Sequence, residues 1–233
     1  MKRIRIVGLC LVAVFAISIA ASSASAAPVF YTKAGLGETV NKVNFTGTLG
    51  AAFLEAKGGT KITCTGGTAT GEVTGPTTAK NNVTKFTGCE TNGLKCENAA
   101  PGEIVTKVLK GTLGGITAAL PGLRLYDEAE GKGGKLAEFS CAGGAVPVIV
   151  KGSVIGSLSG ASGTEPANGK FAASNKLSLA EAKGIQKYSK FLEGEGGTEQ
   201  LESSVSGNPY EPSGQSVIAT LKSVPAGNLG ITK

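Results

Sequence analysis

The chain of 233 residues carries no histidine, a single aspartate (Asp127), 36 glycines and a net charge of +6. Without imidazole there is no Ser-His or Cys-His nucleophile and no imidazole metal ligand, and one aspartate excludes most carboxylate-rich metal sites. Hydrophobic residues at 41% against charged residues at 17% can bury a core, which excludes disorder, and the glycines follow no Gly-X-Y period, which excludes collagen.

At the start of the chain, Lys2, Arg3 and Arg5 precede the apolar run IVGLCLVAVFAISIAA, and Ala24 and Ala26 form an Ala-x-Ala cleavage site. The run is short for a membrane span and small residues follow it at once. Residues 1–26 therefore read as a secretory signal peptide and 27–233 as a single mature domain. Cys10 leaves with the signal. Its removal takes three of 23 basic residues and none of the 17 acids, leaving 20 against 17. The remaining cations are lysines and the lone Arg124, spread without a basic run, so a nucleic-acid partner is not expected. The terminal AGNLGITK has no apolar tail, so no membrane span is expected once the signal is gone.

From residue 39 onward the pattern is strand-like. TVNKVNFTG, TKITCTG, NNVTKFTGC, GEIVTKVLKGTLGGI, GLRLYD, KLAEFSC, VPVIVKGSVIG and SVIATLKSV are short, often alternating, and punctuated by Gly, Pro or Asn. Long helices would suffer repeatedly from this glycine content. The expected fold class is all-β, an antiparallel β-sandwich or barrel with room for one short helix. Two stretches favour that helix: AAFLEAK at 51–57, built of good helix formers, and SLAEAKGIQKYSKFLE at 178–193, with Ser178 and Glu181 at capping-box spacing. GSLSGASGTEPANG at 156–169 reads as a surface loop.

An internal echo runs through the chain. GTLG at 47–50 and again at 111–114 is followed in the same order by related Gly-rich segments that place Cys64 and Cys141 at matching positions. Chance in a Gly-rich sequence explains it, or else a duplicated β unit with a pseudo-two-fold axis, which would make Cys64 and Cys141 neighbours.

The segment CETNGLKC at 89–96 reads as a hairpin. A type I′ turn at Asn92-Gly93 sets Thr91 opposite Leu94, Glu90 opposite Lys95 and Cys89 opposite Cys96. Four cysteines in an exported chain imply two disulfides, and among three connectivities this register favours Cys89 with Cys96 and Cys64 with Cys141. No Cys-x-x-Cys pair occurs, so neither zinc nor a dithiol redox site is expected.

The chain also lacks the phosphate-loop, dinucleotide and Ser-x-x-Lys motifs. Glutamate is the only plentiful general acid or base, while sugar clefts usually carry aromatic platforms and this chain has no tryptophan. The acidic DEAE run at 127–130 reads as a solvated turn. No catalytic residue and no cofactor is assigned.

CTGGTATGEVTGP, FTGCETNGLKCENAAPGEIVTKVLKGTLGGI, FSCAGG, VKGSVIG and GIQKYSKFLEG resemble the recurring segments of a family of uncharacterised exported proteins from high-GC Gram-positive bacteria, over roughly residues 45–222. The resemblance implies export, a β-rich architecture and paired cysteines, and carries over no site. The expected role is a secreted, non-catalytic binding or structural protein of the cell surface or extracellular space, with a ligand the sequence does not identify. The alternative is an extracellular hydrolase of the glycosidase type using a glutamate pair.

Overall fold

The computed structural model describes residues 27–32, 42–159, 174–193, 198–225 and 229–231. The expected signal peptide lies outside them, as does the expected loop beyond Ser159. Short alternating runs rich in Thr, Val and Gly become strands, and no helix occurs among the described residues. The first half of the chain gives β1 (Phe30–Thr32), β2 (Val43–Leu49), β3 (Ala52–Ala56), β4 (Lys61–Cys64), β5 (Gly66–Val73), β6 (Thr78–Thr87), β7 (Glu90–Thr91), β8 (Leu94–Glu97), β9 (Ile104–Val105) and β10 (Leu109–Thr117). The second half gives β11 (Leu120–Asp127), β12 (Lys135–Cys141), β13 (Val146–Ser159), β14 (Asn175–Leu179), β15 (Glu181–Ala182), β16 (Ile185–Gln186), β17 (Leu201–Val205), β18 (Glu211–Val224) and β19 (Leu229–Ile231).

The main sheet closes on itself as an up-and-down barrel of eight staves in chain order. β2 and β3 make the first stave and β4 and β5 the second, joined in one register from Val43↔Val73 to Glu55↔Lys61. β6 and β7 make the third. The fourth is β8 followed by β9 and β10, and the fifth is β11 followed by β12. β13 is the sixth, β14 and β17 share the seventh, and β18 is the eighth. β18 then pairs with β2 and β3 and completes the ring. Every pairing is antiparallel, which an even number of staves permits, and closure removes the exposed edges that open sheets must protect. The 14-residue strands β13 and β18 run the length of the wall, roughly 45 Å along the strand. Register shifts at Thr70/Gly71, Gly115/Thr117 and Lys135/Ala137 supply bulges that help the sheet curve.

Alternation decides which face is inside. Along β2, Val43, Gly47 and Leu49 are buried while Asn44, Thr46 and Thr48 are exposed; along β10, Leu109, Gly111 and Leu113 are buried and Lys110 is exposed. The inward set forms one continuous apolar core. A barrel that crosses a membrane carries the reverse pattern, apolar outside and polar within. Among the described residues no helix is long and apolar enough to cross a membrane.

Four turns, at 57–60, 92–93, 142–145 and 206–210, gather at one end. The opposite end is covered by the short ribbon β1–β19, in which Phe30 pairs with Ile231 and donates its backbone N–H to the carbonyl of Pro76. Phe30 and Ile231 are both buried there.

The expected helices are replaced by strands. Residues 52–56 are β3, held by β18 on one side and β4 on the other, so two ladders override their helical propensity. In the 178–193 stretch, Ser178 sits in β14, opposite Ser157 and Ile218. Glu181 turns to accept a bond from Gly184 N at 2.8 Å, closing the β15–β16 hairpin whose turn residues Lys183 and Gly184 both have positive φ. The expected loop at 156–169 is also shorter at its start, because β13 continues through Gly156 to Ser159.

Candidate functional site: the barrel lumen and its cysteine-braced wall

The inward side chains do not fill the barrel. A cavity of about 130 Å³ remains, bordered by residues from all eight staves, among them Leu49, Phe86, Leu125, Phe139, Leu179 and Val217. Small inward residues such as Ala69, Ala79 and Ala219 leave this space. Glycine contributes in another way: a Cβ on Gly71 would collide with the Phe45 ring, so that position must stay bare for the ring to lie against the wall. A second cavity, of about 40 Å³, lies under the β1–β19 ribbon and shares Phe45, Ala79, Leu123 and Leu221 with the first. The ribbon thus covers the lumen at that end.

The lining holds no Asp, Glu, Lys or Arg. Its polar members are Asn81, Thr84, Thr106 and Gln215. The first three meet at the bulge in β6. There Asn81 is buried while Val83, two residues on, is 43% exposed, the reverse of what hydropathy alone would place. Asn81 offsets its burial with hydrogen bonds: with its amide assigned the orientation that gives every neighbour a complement, the nitrogen donates to the carbonyls of Thr70 at 2.9 Å and Val83 at 3.1 Å, and the oxygen accepts the Thr84 hydroxyl at 2.5 Å. Thr106 lies beside Thr84 on the next stave, donating its backbone N–H to Thr84 O at 2.9 Å. Its side-chain Oγ1 is buried without a protein partner. From sequence alone NNVTKFTGC at 81–89 reads as a plain strand, and the inverted burial of Asn81 and Val83 marks the polar spot.

The four cysteines among the described residues stand on four consecutive staves, in the order Cys64, Cys89, Cys96, Cys141. Cys96 is the register partner of Cys141, Thr63 pairs with Glu90 one step from Cys64 and Cys89, and Cys96 donates its N–H to Cys89 O at 3.0 Å. The disulfides are Cys64–Cys89 and Cys96–Cys141, with Cα separations of 4.0 and 3.9 Å. This corrects the expected pairing. The hairpin is as expected, with Asn92 and Gly93 at φ 50° and 79° and Glu90 opposite Lys95, so Cys89 does face Cys96. Each, however, has a second cysteine on its outer side. Cys64 and Cys141 are three strand spacings apart, about 14 Å, beyond any disulfide, so bonding Cys89 to Cys96 would strand both outer thiols. The echo of GTLG segments therefore does not make Cys64 and Cys141 neighbours. Cys64 borders the cavity and the other three are fully buried. Two disulfides point to an oxidising compartment outside the cytoplasm.

Charged groups occupy the outside of the wall. Glu199 and Arg124, both buried, pair at 3.0 Å, Lys132 adds a contact to Glu199 at 3.1 Å, and Ser153 donates to the same carboxylate. Phe191 lies over the Arg124 guanidinium at 4.8 Å and against Gly114. This cluster fastens Phe191 and Glu199, which follow β16, onto the fourth, fifth and sixth staves. On the surface, the hydrogen bond between Lys135 and Glu138, 2.8 Å long, holds the Glu138 carboxyl below its usual range and raises Lys135. Asp127 of the acidic run is buried, contrary to a solvated turn, because its Oδ1 accepts the N–H of Glu130 within the tight 127–131 turn. No group of three or more metal-ligating side chains occurs among the described residues. No protein-family model, curated protein or solved structure matches the chain.

Proposed function

We propose that the protein is an exported, non-catalytic carrier that holds a small apolar molecule inside its barrel, outside the cell or at its surface. The observation that carries this reading is an uncharged, largely hydrocarbon cavity of about 130 Å³ enclosed by a wall that two disulfides brace. Apolar cavities near 150 Å³ bind molecules of benzene's size. Small barrels of eight strands are among the architectures that hold one small ligand. A glutamate pair for glycoside hydrolysis would have to face a cleft, and the lumen lining contains no glutamate.

The test is titration of the purified protein with benzene, followed by methyl NMR. The carrier reading expects saturable shifts in Leu and Val methyls of the lumen, and their loss in Ala219→Leu, whose larger side chain fills the space without adding a polar atom. Shifts confined to surface methyls, or none, would refute it.

A further inference from the structure

The chemistry of the lining narrows what such a ligand can be. With no charged side chain in the lumen, an ionised ligand would give up its hydration for nothing, so the ligand is neutral. The lining's polar atoms are also largely committed. Both amide hydrogens of Asn81 go to backbone carbonyls, and the Thr84 hydroxyl hydrogen goes to Asn81. Gln215 is only partly buried. Thr106 is partly buried as well, but its Oγ1 is itself buried and meets no protein acceptor. A buried donor left unpaired is destabilising, and a partner that enters with the ligand relieves it. Thr106 borders the cavity, and its χ1 has three staggered wells, so its hydroxyl can turn without moving the backbone.

Resting on the carrier reading, we infer that the ligand is a neutral, mostly hydrocarbon molecule carrying one hydrogen-bond-accepting oxygen, which receives the Thr106 hydroxyl within the apolar lumen beside the β6 bulge. Ketones, aldehydes, esters and ethers of about six non-hydrogen atoms fit the volume. Carboxylic acids in their ionised form do not.

The experiment compares pentane, 2-pentanone and pentanoate at neutral pH on the purified protein, on Thr106→Val and on Thr106→Ser, by NMR titration. Valine keeps the shape of threonine and suits a strand, while serine keeps the hydroxyl. The expected result is binding of 2-pentanone without binding of pentanoate. The preference for 2-pentanone over pentane should fall about tenfold in Thr106→Val, the loss of one hydrogen bond, and persist in Thr106→Ser. An unchanged preference in Thr106→Val, or its loss in Thr106→Ser as well, would overturn the role of Thr106. Pentanoate binding as tightly as the ketone would overturn neutrality. Both results would leave the carrier reading standing, whereas failure of all three probes to enter the wild-type lumen would remove that reading and this inference with it.

Discussion

Cys96 donates its backbone N–H to the carbonyl of Cys89 at 3.0 Å, yet the two sulfurs belong to different disulfides. The four cysteines form a row across consecutive staves, and only bonding outward from the central hairpin satisfies all four. Tryptic peptides report this directly, because cleavage after Lys95 separates Cys89 from Cys96. Under non-reducing conditions, peptide 62–80 should appear joined to 86–95, and 96–107 joined to 136–151. A peptide joining Cys89 to Cys96 would contradict the assignment.

The two bonds span 25 and 45 residues, so their chain-entropy contributions are close, about 3.5 and about 4 kcal/mol. Replacing either pair with serine should lower stability by a similar amount in urea unfolding. A loss concentrated in one pair would show that native packing outweighs loop closure.

Gly93 lies at φ 79° with nothing within 4 Å of where a Cβ would stand. Gly93→Ala therefore tests backbone conformation alone. It should cost about 1–2 kcal/mol, the penalty of the left-handed region for a residue with a side chain, and leave both disulfides intact.

Much of this hairpin was legible in the sequence, since Asn-Gly, the Glu90–Lys95 charges and the cysteine spacing all set one register. What lay beyond reach was lateral: which strands flank the hairpin depends on contacts far along the chain. KLAEFSC matches β12 residue for residue because Leu136 and Phe139 mark its inward face with large apolar side chains. β5, GGTATGEV, carried no such mark. Its inward Ala69 and Gly71 are small because neighbouring side chains and the cavity occupy the space, so the strand looks polar from its sequence. The 51–57 stretch misled for a related reason, as local helix propensity is weak against two ladders. The lumen itself is a product of closure, and no local pattern announces it. Thr106 is one threonine among many until the neighbouring stave places it beside Thr84.

Glu199 is 3% exposed between Arg124 and Lys132. Glu199→Gln would remove the buried carboxylate that pairs with the guanidinium at 3.0 Å. Removing one partner of a buried pair costs about 3–5 kcal/mol, so a drop of that order is expected in chemical denaturation. Hydrogen exchange should show the 187–193 segment opening first. A loss under 1 kcal/mol would mean that the cluster does not fasten the segment.

Leu123 borders both cavities. Leu123→Ala should merge and enlarge them at a cost of about 2–5 kcal/mol. Binding should shift toward larger neutral ligands, measured by titration with a homologous series of ketones. Loss of stability with no change in size preference would place the binding site elsewhere.

The most direct measurement is X-ray diffraction from a crystal of the protein pressurised with xenon, which enters dry apolar cavities of this size. The predicted result is anomalous density inside the barrel, among Leu49, Phe86, Leu125 and Val217. Density absent from the lumen, with those side chains packed into contact across it, would contradict the account.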